Sequence, residues 1–119
     1  MADPGSVPAG RYGRAALTSL GVWPAVQSRV TASENVRAAL ALVSRGEAPL
    51  GVVYATDALA EPGVRVVAVL PAASHPAITY PIAQLRSSRH DEAEAFRRFL
   101  LSDQASGIFR RFGFGVPPR

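Results

Sequence analysis

An α/β architecture with a mainly parallel sheet is the fold class this sequence predicts, and three features predict it. Strand-like apolar runs alternate with amphipathic helical patterns over residues 8–70. The runs are rich in β-branched residues and too short for helices. The last third of the chain then turns helical throughout. At 119 residues the chain is one domain or a large part of one, long enough to bury a core.

Residues 8–20 form the first helix, with Pro8 at its first position and Gly21 placed to end it. "VWPAVQSRV" (22–30) holds one helical turn and a short extended stretch. In "SENVRAALALVSRGE" (33–47), Val36, Ala39, Leu40 and Val43 recur at i, i+3, i+4 and i+7, and Gly46 closes a second helix. "PLGVVYA" (49–55) and "VRVVAVL" (64–70) read as buried strands, separated by a helical turn and loop in "TDALAEPG" (56–63). The proline-rich "PAASHPA" (71–77) connects to "ITYPIAQL" (78–85), an extended segment that Pro81 confines to an edge or a crossing. Two consecutive helices fill residues 89–114, the second capped by Ser102 or Asp103. All five phenylalanines lie in this tail, and Phe96, Phe99, Ile108, Phe109 and Phe112 form stripes that need apolar cover.

Composition narrows the function. Apolar residues make up 48% and charged residues 18%, which suits a packed globule. No apolar run approaches the roughly 18 residues of a membrane span. "MADPGSVPAG" has neither the charged nor the apolar region of a secretory leader. Met1 stands directly before residues that read as mid-protein, so the expectation is an excised piece or a start set at a domain boundary. The absence of cysteine excludes disulfides and thiolate metal sites. The net charge of +4 rests on arginine alone, since the 13 basic residues include no lysine. These arginines are scattered, paired only at Arg97-Arg98 and Arg110-Arg111, where solvated helix faces account for them. A basic module for nucleic acid or an acidic surface would need clustered arginines with exposed aromatics between them. The aromatics stand at core spacing instead, so no nucleic-acid partner is expected.

Catalytic chemistry is poorly represented. His75 and His90 lack metal-ligand spacing and read as loop histidines. Asp91, Glu92 and Glu94 open a helix, where carboxylates favour the positive end of the macrodipole. Asp57 follows a strand, and its expected role is to cap the turn at "TDALA". No nucleophile elbow, P-loop or GxGxxG occurs. No enzyme, cofactor or direct side-chain ligation of a cation is expected.

Helix N-termini remain. With Pro8 at the first position, Val7 is the N-cap and offers no side-chain oxygen to the N–H groups of Ala9 and Gly10. Gly10 leaves room for a ligand to approach the backbone. Such an end binds anions without a charged side chain; water or Ser6 is the alternative acceptor. In the second helix, Asn35 as N-cap leaves the Val36 N–H unused, whereas Ser33 as N-cap takes it. Tyr54 stands at the carboxyl end of a strand, where α/β sheets bind ligands; its hydroxyl either donates one neutral hydrogen bond there or packs the sheet edge.

Four long stretches bear a family resemblance: "DPxxVPAGxYGRxAL", "ENVRAALALVxRGEAPLGVVYxTDA", "VxVVAxLPxxSHPxIxYPIA" and "FxxFLxSxQAxxIFxRxGF". In this order, over residues 3–114, the chain resembles the periplasmic molybdate-binding proteins of ABC transporters. The resemblance implies a type II periplasmic binding-protein fold, in which two α/β lobes close on a tetrahedral oxyanion. It implies that residues 3–80 form a three-layer second lobe, and that residues 81–119 return through two terminal helices to a first lobe that this sequence does not contain. The family holds molybdate or tungstate through two backbone N–H groups and a tyrosine hydroxyl, which correspond to Ala9, Val36 and Tyr54. Arg11 and Arg37 lie nearby but do not match ligand positions. The resemblance also implies a solute receptor of an ABC importer, periplasmic as a whole protein and partnered by a membrane permease, here with half of its site. Weak or undetectable molybdate binding by this chain alone is then expected, with sulfate or another tetrahedral oxyanion as the rival ligand. The terminal helices would cover their apolar stripes on the first lobe or in a homodimer.

Overall fold

The computed structural model describes residues 1–116. They divide into two compact units, Met1–Ile78 and the segment from Thr79 onward.

In the first unit, α1 spans Pro8–Ser19 and α2 is a single turn, Trp23–Val26, followed by a 3-10 turn at Gln27–Arg29. α3 spans Val36–Ser44, α4 spans Ala55–Leu59, and a second 3-10 turn covers Ala72–Ser74. Two glycines end the longer helices as their positions predict. Gly21 and Gly46 adopt left-handed φ values of 73° and 74°. Each lets the chain close two carbonyls: Gly21 and Val22 donate to Thr18 and Leu17, and Gly46 and Glu47 donate to Val43 and Leu42.

The core is built from small residues. Ala9, Gly10, Gly13 and Ala16 form the buried stripe of α1, and Ala39 and Leu40 that of α3. Small side chains let backbones approach closely. A Cβ added at Gly13 would stand 3.0 Å from Val52 Cγ1, and one at Gly51 would stand 2.7 Å from Val43 Cγ2. The segment 50–54 is therefore packed against both α1 and α3.

The expected parallel sheet is corrected here. Among the described residues no strand ladder forms, and parallel pairing reduces to one bridge between Ala2 and Ser33. Asp3 N–H donates to the Ser33 carbonyl at 2.8 Å, and Ser33 N–H to the Met1 carbonyl at 3.0 Å. Parallel strands persist where both faces are covered. The run 64–70 has no such cover, since Val66, Val67 and Val69 are 56%, 64% and 76% exposed. Segment 50–54 has helix contacts but no neighbouring strand to pair with.

The second unit holds α5, Ala93–Leu100, and α6, Asp103–Arg111. Ser102, not Asp103, caps α6, its hydroxyl accepting the Ala105 N–H. Phe114 packs edge-to-face on Tyr80 and Phe109, with ring centroids 5.6 and 6.1 Å away. The remaining phenylalanines, Phe96, Phe99 and Phe112, stay exposed.

On α5, Glu94 accepts from Nε and Nη2 of Arg97, each at 2.8 Å, and from Nε of Arg98 at 2.9 Å. These bonds, Arg97's first, hold the Glu94 carboxyl at about 2 instead of the usual 4.5. A depressed carboxylate stabilises the fold above its unfolded value and loses that contribution as pH falls through the folded one. The Glu94 carboxyl carbon, followed by NMR, is expected to titrate near pH 2 and to move toward 4.5 in Arg97→Gln. Titration of the parent chain at 4.5 would mean that these ion pairs do not persist in solution.

Candidate functional site

The N-terminus of α1 is uncapped for a specific reason. Val7 is its N-cap residue, in extended backbone, and no side chain accepts from the first turn. Ser6, the nearest hydroxyl, is committed elsewhere: its Oγ donates to Asp3 Oδ1 at 2.8 Å. The same oxygen accepts the N–H groups of Gly5 and Ser6. These bonds, the Ser6 hydroxyl first, hold the Asp3 carboxyl below its ordinary range. Ser6 accepts no hydrogen bond from the first turn of α1, so it is not the acceptor there. Arg11 N–H opens the helical ladder by bonding Val7 at 2.9 Å, so Ala9 and Gly10 stand ahead of it. Ala9 is buried, and a polar group at a buried residue calls for an acceptor.

Gly10 serves a different purpose from the one its sequence position suggests. A Cβ there would overlap the carbonyl oxygens of Ala2 and Asp3, so the space beside it is filled by the protein's own backbone. No ligand approaches through that face.

At α3 the boundary resolves in favour of Asn35. Its Oδ1 accepts the Ala38 N–H at 2.8 Å, which makes Val36 the first helical residue. The cap takes the third N–H of the helix and leaves that of Val36 to another acceptor.

Tyr54 ends segment 50–54 and is also the N-cap residue of α4, where no side chain caps the helix. Its carbonyl accepts from Asp57 and Ala58 at 3.0 and 3.2 Å, and the residue is half-buried.

These three helix starts belong to one network of contacts. The α1 start packs at Gly10 on Ala2 and Asp3, which pair with Ser33, two residues before the Asn35 cap. From the α3 start, Arg37 Nε reaches Asp57 Oδ1 at 2.7 Å, within the first turn of α4. Val52, two residues before Tyr54, packs on α1 at Gly13.

Asp57 is the residue that sequence reasoning misjudged. It does not cap its turn; its carboxylate is buried and paired with Arg37 across 20 positions of sequence. No local pattern signals that pairing, because it depends on α3 packing against α4. Arg11 and Arg14 instead line a shallow open groove of about 570 Å³ with Pro4 and Thr18, which includes none of Ala9, Val36 and Tyr54. Arg14 also stacks over Trp23, 5.6 Å from the ring centroid. His75 contacts the Tyr12 ring edge-to-face and the Pro76 carbonyl. Among the described residues no group of three or more acidic or histidine side chains is placed to hold a metal ion.

Comparison with known proteins gives this geometry its context. Residues 1–115 match the sequence model for bacterial extracellular solute-binding proteins. The chain is 45% identical to the molybdate-binding protein ModA of Escherichia coli (strain K12), over 98% of this chain and 45% of that one. With the molybdate-binding protein ModA of Haemophilus influenzae it shares 42% identity, over 98% and 46%. A substrate-binding domain assigned to a molybdenum ABC transporter of Clostridium difficile superposes with a TM-score of 0.81 at 32% identity, covering 98% of this chain and 52% of that one. The chain thus spans about half the length of these relatives. Extended over nearly all of its residues, this likeness shows that the chain belongs to the bacterial extracellular solute-binding proteins, a family of binding proteins and not of enzymes.

Proposed function

We propose that this chain is the second lobe of a molybdate or tungstate receptor serving an ABC importer, with the N–H groups of Ala9 and Val36 and the hydroxyl of Tyr54 as its oxyanion donors. The observation that carries the reading is the state of the two helix starts. Ser6 is turned away from α1, and Asn35 takes the Ala38 N–H while leaving that of Val36. Molybdate is a full dianion at neutral pH, and its oxygens only accept hydrogen bonds. A site made of donors suits it, whereas a protonated phosphate would bury an O–H without an acceptor. Size and donor placement then separate molybdate from sulfate.

In this reading residues 3–80 are the lobe and residues 81–119 return toward a first lobe that completes the coordination shell. The exposed phenylalanines of α5 and α6 are the contact face for that lobe or for a second copy of the chain. The whole protein works in the periplasm and delivers its anion to a membrane permease.

NMR titration of the 119-residue chain tests the site directly, because it detects millimolar binding. Molybdate is expected to shift the amides of Ala9 and Val36, and Tyr54→Phe to weaken binding about tenfold. That factor corresponds to one hydrogen bond to a charged group, about 1.5 kcal/mol. Shifts centred on Arg11 and Arg14 would put the anion in the open groove and overturn the assignment. Equal affinity for sulfate would make the chain a receptor lobe for another oxyanion.

A further inference from the structure

The Arg37–Asp57 ion pair joins the first turns of α3 and α4, the two helices whose starts carry two of the proposed donors. Arg37 directly follows Val36 in the first turn of α3, and Asp57 stands three residues after Tyr54 in α4. The Asp57 side chain is 7% exposed, while the Arg37 side chain remains 67% exposed. Asp57 Oδ2 is buried and has no hydrogen-bond partner among the described residues. Compensation of the buried charge therefore comes from Arg37, through the 2.7 Å contact to Oδ1. A carboxylate in that position resists separation from its cation, because opening the pair leaves a bare charge in the interior. The contact is thus a stiff link between the starts of two helices.

Building on the oxyanion reading above, we propose that the Arg37–Asp57 pair is the positioning device of the site. It holds the start of α3 against the start of α4, and so sets the separation between the Val36 N–H and the Tyr54 hydroxyl. Neither side chain touches the anion. The pair has a second consequence for selectivity. Asp57 neutralises the arginine adjacent to a donor, so charge does not recruit every dianion equally, and discrimination rests on the spacing of neutral donors. Ala9 lies on α1, outside the link, and its donation does not depend on it.

NMR titrations with sodium molybdate and with sodium sulfate test this, following the Ala9 and Val36 amides and the Tyr54 ring. In the parent chain all three are expected to respond to molybdate; no response at Ala9 and Val36 overturns the oxyanion site and the positioning role with it. Given that response, Arg37→Gln is expected to keep the Ala9 shift and to lose most of those at Val36 and Tyr54. The molybdate-over-sulfate affinity ratio is expected to fall about tenfold, the scale on which residues that orient a binding group act. Arg37→Lys, which keeps the cation, is expected to recover part of that ratio. Should the bare carboxylate unfold Arg37→Gln, the double variant Arg37→Met/Asp57→Leu carries the test, since it removes both charges at similar volume. A folded variant of either kind with an unchanged ratio and unchanged Val36 and Tyr54 responses would overturn the positioning role while leaving the oxyanion site standing.

Discussion

Val7→Asp is expected to make the protein more stable and to abolish its response to molybdate. Val7 already has the extended backbone of an N-cap, φ −89° and ψ 132°, so aspartate enters without strain. Its carboxylate would accept from the N–H of Ala9 or Gly10, and capping of this kind stabilises by about 1 kcal/mol. The negative charge also meets the positive end of the α1 dipole, adding about 0.5 kcal/mol. For a domain of this size the gain corresponds to a rise of roughly 4–8 °C in Tm. Binding moves the other way. Whichever of the two N–H groups it bonds, the carboxylate stands beside the Ala9 donor, and at an effective dielectric of about 20 two unit charges 4 Å apart repel by about 4 kcal/mol. The expected loss of affinity exceeds a hundredfold. Val7→Thr supplies a neutral cap and is expected to give a smaller loss. If Val7→Asp binds molybdate as the parent does, the Ala9 N–H is not a ligand.

Gly10→Ala carries the largest expected loss of stability, on the order of 3 kcal/mol. The added Cβ overlaps two backbone carbonyl oxygens, those of Ala2 and Asp3, and backbone does not swing aside as a flexible side chain does. Either α1 moves off segment 1–3 or that segment gives up its bridge to Ser33. Urea unfolding measures the change, and Gly107→Ala is the internal control. Gly107 lies in α6 with open space where its Cβ would go, so alanine there is expected to stabilise by up to about 1 kcal/mol. Equal small effects at both positions would mean that segment 1–3 does not pack on α1 in solution.

The caps were legible because capping is local. Pro8 made Val7 an N-cap without an oxygen, and the structure has it so. Asn35 and Ser102 each stood as one of two candidates, and a hydrogen bond to the third N–H of each helix decided between them. Gly21 and Gly46 ended helices because a left-handed residue is needed there and glycine adopts it freely. The strands expected at 49–55 and 64–70 do not form. A β-branched run specifies an extended tendency, but a ladder requires a neighbour that supplies hydrogen bonds and a layer that covers the valines.

Gly10 and Asp57 mark the boundary between the two kinds of information. By itself the sequence determined where α1 begins, narrowed the start of α3 to two candidate caps, and set to which family the pattern is similar. Those properties depend on residues within a turn of one another. Only tertiary structure decided that Gly10 is closed off by the backbone of Ala2 and Asp3. It alone also turned Asp57 away from its own helix and onto Arg37. Contacts between positions far apart in sequence depend on how helices pack, and small-residue stripes such as Gly10, Gly13 and Ala16 give little hint of which neighbour will fill them.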